Sequence, residues 1–157
     1  MTRFAVDSNV LIAASQANHP FNRVAVEAIE SRLDNSETMV LPGHVLLETY
    51  SVLTRVPPAL RLGPLAAFAA VSAFANSSEV VEMPAGSCLE VIERAVKAGV
   101  TGGRIYDALI AETARASGAE LLLTFNVRHF AGLAGDMAIV EPGASWPCAQ
   151  HETQSCP

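Results

Sequence analysis

Arg3-Phe4-Ala5-Val6-Asp7-Ser8-Asn9, near the start of the chain, is a short β-favouring run that ends on an acid, and its reading decides the fold. Phe4, Ala5 and Val6 are consecutive apolar residues, so the strand they predict is a buried one, and Asp7 stands where that strand would end. Residues 18–33 then carry helical spacing, with Phe21, Val24, Ala25, Ala28 and Ile29 on one stripe. Strand followed by helix recurs along the rest of the sequence. A second strand is expected over residues 38–41, with Pro42 placed to open a helix over 44–55 that Pro57 and Pro58 stop. An alanine-rich helix follows Gly63 and Pro64 to about residue 75. Residues 79–83 read as strand and 87–98 as helix. Gly99 ends that helix, and residues 104–116 form the next, closed by Gly118 in the manner of a C-cap. Residues 120–125 return to strand, 127–133 make a brief helical turn, and 137–140 a last strand.

Strands that alternate with helices predict an α/β domain of three layers, α/β/α, around a mostly parallel sheet of about five strands. A length of 157 residues suits one such domain, here residues 1–141, with 142–157 expected as a flexible C-terminal tail. Half of the residues are hydrophobic and 17% are charged, which excludes a disordered chain. No apolar run is long enough to cross a bilayer and the N-terminus lacks the apolar core of a secretory signal, so a soluble, cytoplasmic protein is expected. Cys88, Cys148 and Cys156 lack the spacing of a zinc or redox motif and read as free thiols, Cys88 in a helix core and the other two in the tail. A net charge of −6 opposes broad, charge-driven binding to nucleic acid, unless several of the acids share one site and the few basic residues cluster beside it.

The placement of those acids carries the functional reading. In open α/β sheets the working crevice lies beyond the carboxyl ends of the strands, which is where Asp7 falls; it would serve equally as the N-cap of the turn that follows. Glu48 projects between Leu41, Val45 and Val52, where an ionised group is costly unless paired, protonated or bound to a cation; a salt bridge to Arg55 is the other reading. Asp107 shares a helical stripe with Ile110, Ala111 and Ala114 and is expected to face inward, whereas Glu112 is expected to face water. Asn126 follows the apolar strand at Leu121-Leu122-Leu123, either as a site residue or as an N-cap. Three inward acids on separate elements would repel one another, so their convergence predicts a divalent cation between them. All-oxygen ligands favour Mg²⁺ or Mn²⁺ over zinc, and His44 and His129 are expected at the surface or behind the ligands.

Four segments, in this order and spacing, resemble the PIN-domain family and more narrowly the VapC-like toxins of bacterial toxin-antitoxin pairs. They are Phe4-Ala-Val-Asp-Ser-Asn-Val-Leu-Ile12, Leu46-Leu-Glu-Thr-Tyr-Ser-Val-Leu-Thr-Arg55, Ile105-Tyr-Asp-Ala-Leu-Ile-Ala-Glu-Thr-Ala114 and Leu122-Leu-Thr-Phe-Asn-Val-Arg-His-Phe130. The resemblance implies a Mg²⁺- or Mn²⁺-dependent endoribonuclease acting on RNA, dimeric, and held inactive by a cognate antitoxin. Asp7, Glu48 and Asp107 match the family's acidic positions; the fourth, usually Asp, is Asn126, which puts a second metal in doubt. The metal would lower the pKa of a bound water and offset charge on the attacked phosphate, with Asp7 and Asp107 as ligands and Glu48 as ligand or base. Ser8, Asn9 and Thr124 would support the site, and Arg104 and Arg128 would contact phosphate. Other readings are a catalytically inactive PIN fold that only binds, a receiver-like signalling domain and a haloacid-dehalogenase-like phosphatase. The one lysine, Lys97, lies on a helix where a receiver would need it after a late strand, and Asp7-Ser8-Asn9 lacks the phosphatase's second aspartate.

Overall fold

Phe4, Ala5 and Val6 are fully buried because their strand is the middle one of five. In the computed structural model, which describes residues 1–144, the chain runs β1 (Arg3–Val6), α1 (Ser8–Ala14), α2 (Asn22–Asp34), β2 (Thr38–Pro42), α3 (Gly43–Arg55) and α4 (Pro64–Asn76). It continues through β3 (Glu79–Val81), α5 (Cys88–Lys97), α6 (Arg104–Ala116), β4 (Leu121–Leu123), a 3₁₀ turn (Val127–Phe130) and β5 (Ala138–Val140). The sheet order is β3-β2-β1-β4-β5 and every pairing is parallel, so the expected α/β/α arrangement holds with its sheet wholly parallel.

That order makes the chain step outward from β1 to β3 and then cross back to β4 on the other side of β1. Right-handed crossovers put the connections of the two halves on opposite faces of the sheet. The packing agrees: α1 lies against α2 and α3, α3 against α4, and α5 against α6. Apolar residues of both strand centres, Val6 and Leu123 among them, share one core with Val10, Leu11, Ile110 and Phe130. A smaller cluster of Val91, Ala95 and Ala108 joins α5 to α6.

Several expectations are corrected. Ser8–Ala14 is a helix of its own, too short for its periodicity to stand out in the sequence, and the helix predicted from residue 18 starts at Asn22. The strands are shorter than expected, β3 ending at Val81 and β4 at Leu123, because only the residues facing a neighbouring strand can pair. Cys88 is exposed at the start of α5 rather than in its core, which Val91 and Ala95 fill. Of the predicted tail, Pro142 is buried and Ala144 N–H donates to the Glu141 carbonyl at 3.0 Å; residues 145–157, with Cys148 and Cys156, lie outside the described residues. No helix among the described residues is long and apolar enough to cross a membrane.

Candidate active site

Because the strand order reverses between β1 and β4, the carboxyl ends of these two neighbours open a crevice at the switch point of the sheet. Asp7 follows β1 and Thr124 to Asn126 follow β4, so the two segments meet there. Asp7 occupies the N-cap position of α1, yet its side chain makes no capping bond. The carboxylate turns instead toward β4: its Oδ2 accepts from Thr124 Oγ1 at 2.7 Å and from Asn9 Nδ2 at 2.7 Å. Its Oδ1 accepts from Ser8 Oγ, at 3.3 Å. One oxygen is therefore fixed by the scaffold and the other keeps lone pairs to offer.

Asn9 and Thr124 tie the two strand ends together. Asn9 Nδ2 also reaches Thr124 Oγ1 at 3.2 Å, while its Oδ1 accepts from the Phe125 N–H at 3.1 Å. Thr124, fully buried, accepts in turn from the Asn126 N–H at 2.9 Å. These bonds satisfy backbone groups that leave the sheet at β4 and have no strand partner. Asn126 itself is exposed, and its side chain makes no capping bond to the 3₁₀ turn it precedes.

Burial sets the charge on this centre. Asp7 is 3% exposed, and its pKa is pushed up to about 6, first by loss of hydration and in smaller part by the negative charges of Asp107 and Glu48; hydrogen bonds from the Thr124 hydroxyl and the Ser8 backbone N–H work the other way. Asp107, in the first turn of α6 and half-buried, is also raised by burial, against the pull of His129 and Arg104. Its Oδ2 lies 3.4 Å from His129 Nδ1, and Arg104 Nη2 donates to the His129 carbonyl at 2.7 Å. Arg104 thus holds the turn after β4 against α6, and Arg128 is exposed beside it.

Glu48 departs from its expected surroundings. The stripe that α3 buries is Val45, Thr49 and Leu53, and Glu48 is exposed at the rim, so no desolvation argument requires a cation beside it. Glu112, expected to face water, instead pairs with Arg94 of α5 and with Arg115, because α5 packs on that side of α6. His129, expected at the surface or behind the ligands, is exposed and lies against Asp107. A cavity of about 490 Å³ lies elsewhere, between α5, α6 and residues 132–136. Its two arginines, Arg94 and Arg115, are already taken up by Glu112.

Among the described residues no three acidic, histidine or cysteine side chains are gathered tightly enough to enclose an ion unaided. A hard cation of the Mg²⁺ type keeps several of its waters and needs only one or two direct carboxylates, so Asp7 Oδ1, Asp107 and an open rim at Glu48 fit such an ion.

A family model, PIN domain, matches residues 4–135. The chain belongs to the PIN domain family. Ribonuclease VapC40 of Mycobacterium tuberculosis is 38% identical over 118 residues, 75% of this chain and 83% of that protein. Ribonuclease VapC27 of the same species is 36% identical over 118 residues, 74% and 80% of the two chains. Among solved structures, VapBC2 from Rickettsia felis, bound to a DNA fragment from its promoter, superposes with a TM-score of 0.66 at 19% identity. The match covers 89% of this chain and 98% of that one. VapC20 of Mycobacterium tuberculosis, described as a toxin that cleaves the sarcin-ricin loop, superposes at 0.63 with 23% identity, covering 82% and 93%. At these identities the structural likenesses speak for the fold.

Proposed function

We propose that this PIN domain is a divalent-metal-dependent endoribonuclease, the cytoplasmic toxin of a toxin-antitoxin pair, with Asp7, Asp107 and Glu48 about one Mg²⁺ or Mn²⁺ ion. The observation that carries the reading is the buried Asp7 carboxylate, fixed through Oδ2, open at Oδ1 and within charge range of two further acids. The family membership and the two ribonuclease relatives support the substrate class. The ion, when bound, supplies an acidified water and charge stabilisation at phosphorus.

The protein's own contribution is placement. Thr124 and Asn9 hold Asp7 in one orientation, and His129 and Arg104 set the face of α6 from which Asp107 projects. Glu48, exposed at the crevice rim, is free to accept a proton from an attacking water. Asn126 offers an amide to orient that water where a fourth acid would add charge. Arg128 is placed to meet a phosphate of the RNA. A homodimer and a cognate antitoxin are the expected partners: α3 and α4 expose Leu47, Tyr50, Leu65 and Phe68, and α5 exposes Leu89, Ile92 and Val96, apolar faces of the kind protein partners cover.

The test is cleavage of purified RNA, with ends mapped by sequencing. Chelator is expected to abolish new ends and Mg²⁺ or Mn²⁺ to restore them. Asp107→Asn is expected to lower the rate on the order of 100-fold while the thermal midpoint stays within a few degrees. Cleavage that persists in chelator, or full activity of that variant at limiting Mg²⁺, overturns the reading. An inactive binding module, which the neutral Asn126 would suit, predicts no cleavage by the wild type under any divalent ion.

A further inference from the structure

Phe125 lies between Thr124, which bonds Asp7, and Asn126, and its N–H is held by Asn9. Its ring is half-buried against the core. On it stacks Phe21, at the entry to α2, with ring centroids 5.0 Å apart and planes 29° apart. His19 leans on Phe21 from another side, 6.0 Å away and tilted by 48°, its Nδ1 accepting the Phe21 N–H at 3.2 Å. Phe21 is thus fixed by a ring on one face and by its own backbone, yet 52% of it remains exposed.

A large aromatic side chain held rigid but open costs apolar exposure that folding has not removed. Its place suggests what it would meet. It packs on the end of β4, where Thr124, next to Phe125, holds the Asp7 carboxylate at the neighbouring end of β1, so its free surface borders the crevice between these strands. Net charge adds a second argument. At −6, the chain draws little general attraction from a phosphate backbone, so affinity for RNA must come from a contact that does not rely on charge. Stacking of a base on an aromatic ring is such a contact, and it is open to bases splayed from a loop or single strand but closed to those within a duplex.

We propose that Phe21, backed by Phe125, is a stacking platform for one unpaired nucleobase next to the scissile phosphate, which makes it a specificity-determining residue for RNA that is single-stranded at the cut. The proposal rests on the ribonuclease reading above and deepens it. Stacking that is equal in the bound and transition states acts on KM and leaves kcat alone.

The experiment is steady-state cleavage, in Mg²⁺, of a short RNA containing the mapped cut site, by wild type, Phe21→Ala and Phe21→Trp. The RNA is supplied intact and with single abasic nucleotides at successive positions. Phe21→Ala is expected to raise KM about tenfold with kcat nearly unchanged, and Phe21→Trp to restore it. One abasic position beside the cut is expected to raise the wild-type KM by a like factor and to have no further effect in Phe21→Ala. If the wild type cleaves and Phe21→Ala retains its KM, the platform is overturned while the ribonuclease reading stands. The platform is overturned in the same way if Phe21→Ala changes only antitoxin binding or the oligomeric state, since a protein then covers the ring. If the wild type cleaves no RNA with either ion, the ribonuclease reading falls and the platform with it.

Discussion

Thr124 is a hydroxyl with three tasks, donating to Asp7 and accepting from Asn9 and from the Asn126 N–H. Its burial is complete, so water cannot replace any of them. Thr124→Val keeps the shape and removes the bonds. It is expected to destabilise the fold by ~1–3 kcal/mol, the cost of stranding buried polar groups. Cleavage should fall as well, because Asp7 loses one of the two donors to its Oδ2. Thr124→Ser, which keeps the hydroxyl, should recover most of both. Denaturant melts and initial rates on the same preparations test this, and a Val variant with wild-type stability and rate would remove Thr124 from the site.

Among the helices, α6 bears most on function, since it presents Asp107 at its first turn and packs Ile110, Ala111 and Ala114 into the core. Its end is as well defined as its start. Gly118 adopts φ +79°, with its N–H on the Arg115 carbonyl at 3.0 Å and the Ala119 N–H on the Ala114 carbonyl at 3.0 Å, a pattern that closes the last turn. A Cβ at this position would meet only Arg3 Cδ at 3.8 Å, an ordinary contact, so the cost of Gly118→Ala is backbone strain alone. That cost is expected at ~1–2 kcal/mol, read as a lower denaturant midpoint with an unchanged slope. Activity per folded molecule should not change, because Gly118 lies past the far end of α6 from Asp107.

Stability of the folded chain should carry the signature of its site as a function of pH. Asp7, raised to about 6, is more easily protonated folded than unfolded, so its cost is absent below the ordinary carboxylate range, grows as pH rises toward 6 and is complete above it. Two units correspond to about 3 kcal/mol. His44 has the opposite sign: burial lowers it to about 4, and its contribution is lost as pH falls from 6.5 toward that value. The two slopes oppose each other between pH 4 and 6 in the wild type. Asp7→Asn is expected to be more stable than wild type at pH 7.5 and to lose stability more steeply on acidification, because the opposing slope of Asp7 is gone. Mg²⁺ should raise the wild-type thermal midpoint at pH 7.5, by binding the folded form alone, and leave Asp7→Asn unmoved. Melts across pH, with and without Mg²⁺, check all three; an Asp7→Asn variant less stable than wild type at pH 7.5 would contradict the cost assigned to this carboxylate.

Local pattern was enough to reveal the alternating elements, the parallel sheet, the acid after β1 and the inward face of α6. Each depends on periodicity and on residues next to one another in the chain: Phe4-Ala5-Val6 cannot avoid burial, and Asp107 shares its stripe with Ile110 and Ala111 wherever α6 packs. Glu48, Glu112 and Cys88 depart from expectation because a helical projection shows which residues share a face but not which neighbour covers that face. Packing supplied the answer, placing Glu48 at an open rim, Glu112 against Arg94, and Phe21 on Phe125 across more than one hundred residues of chain. Such contacts join segments far apart in sequence, and their free energy comes from burial and charge in the assembled fold, which no single stretch of residues encodes.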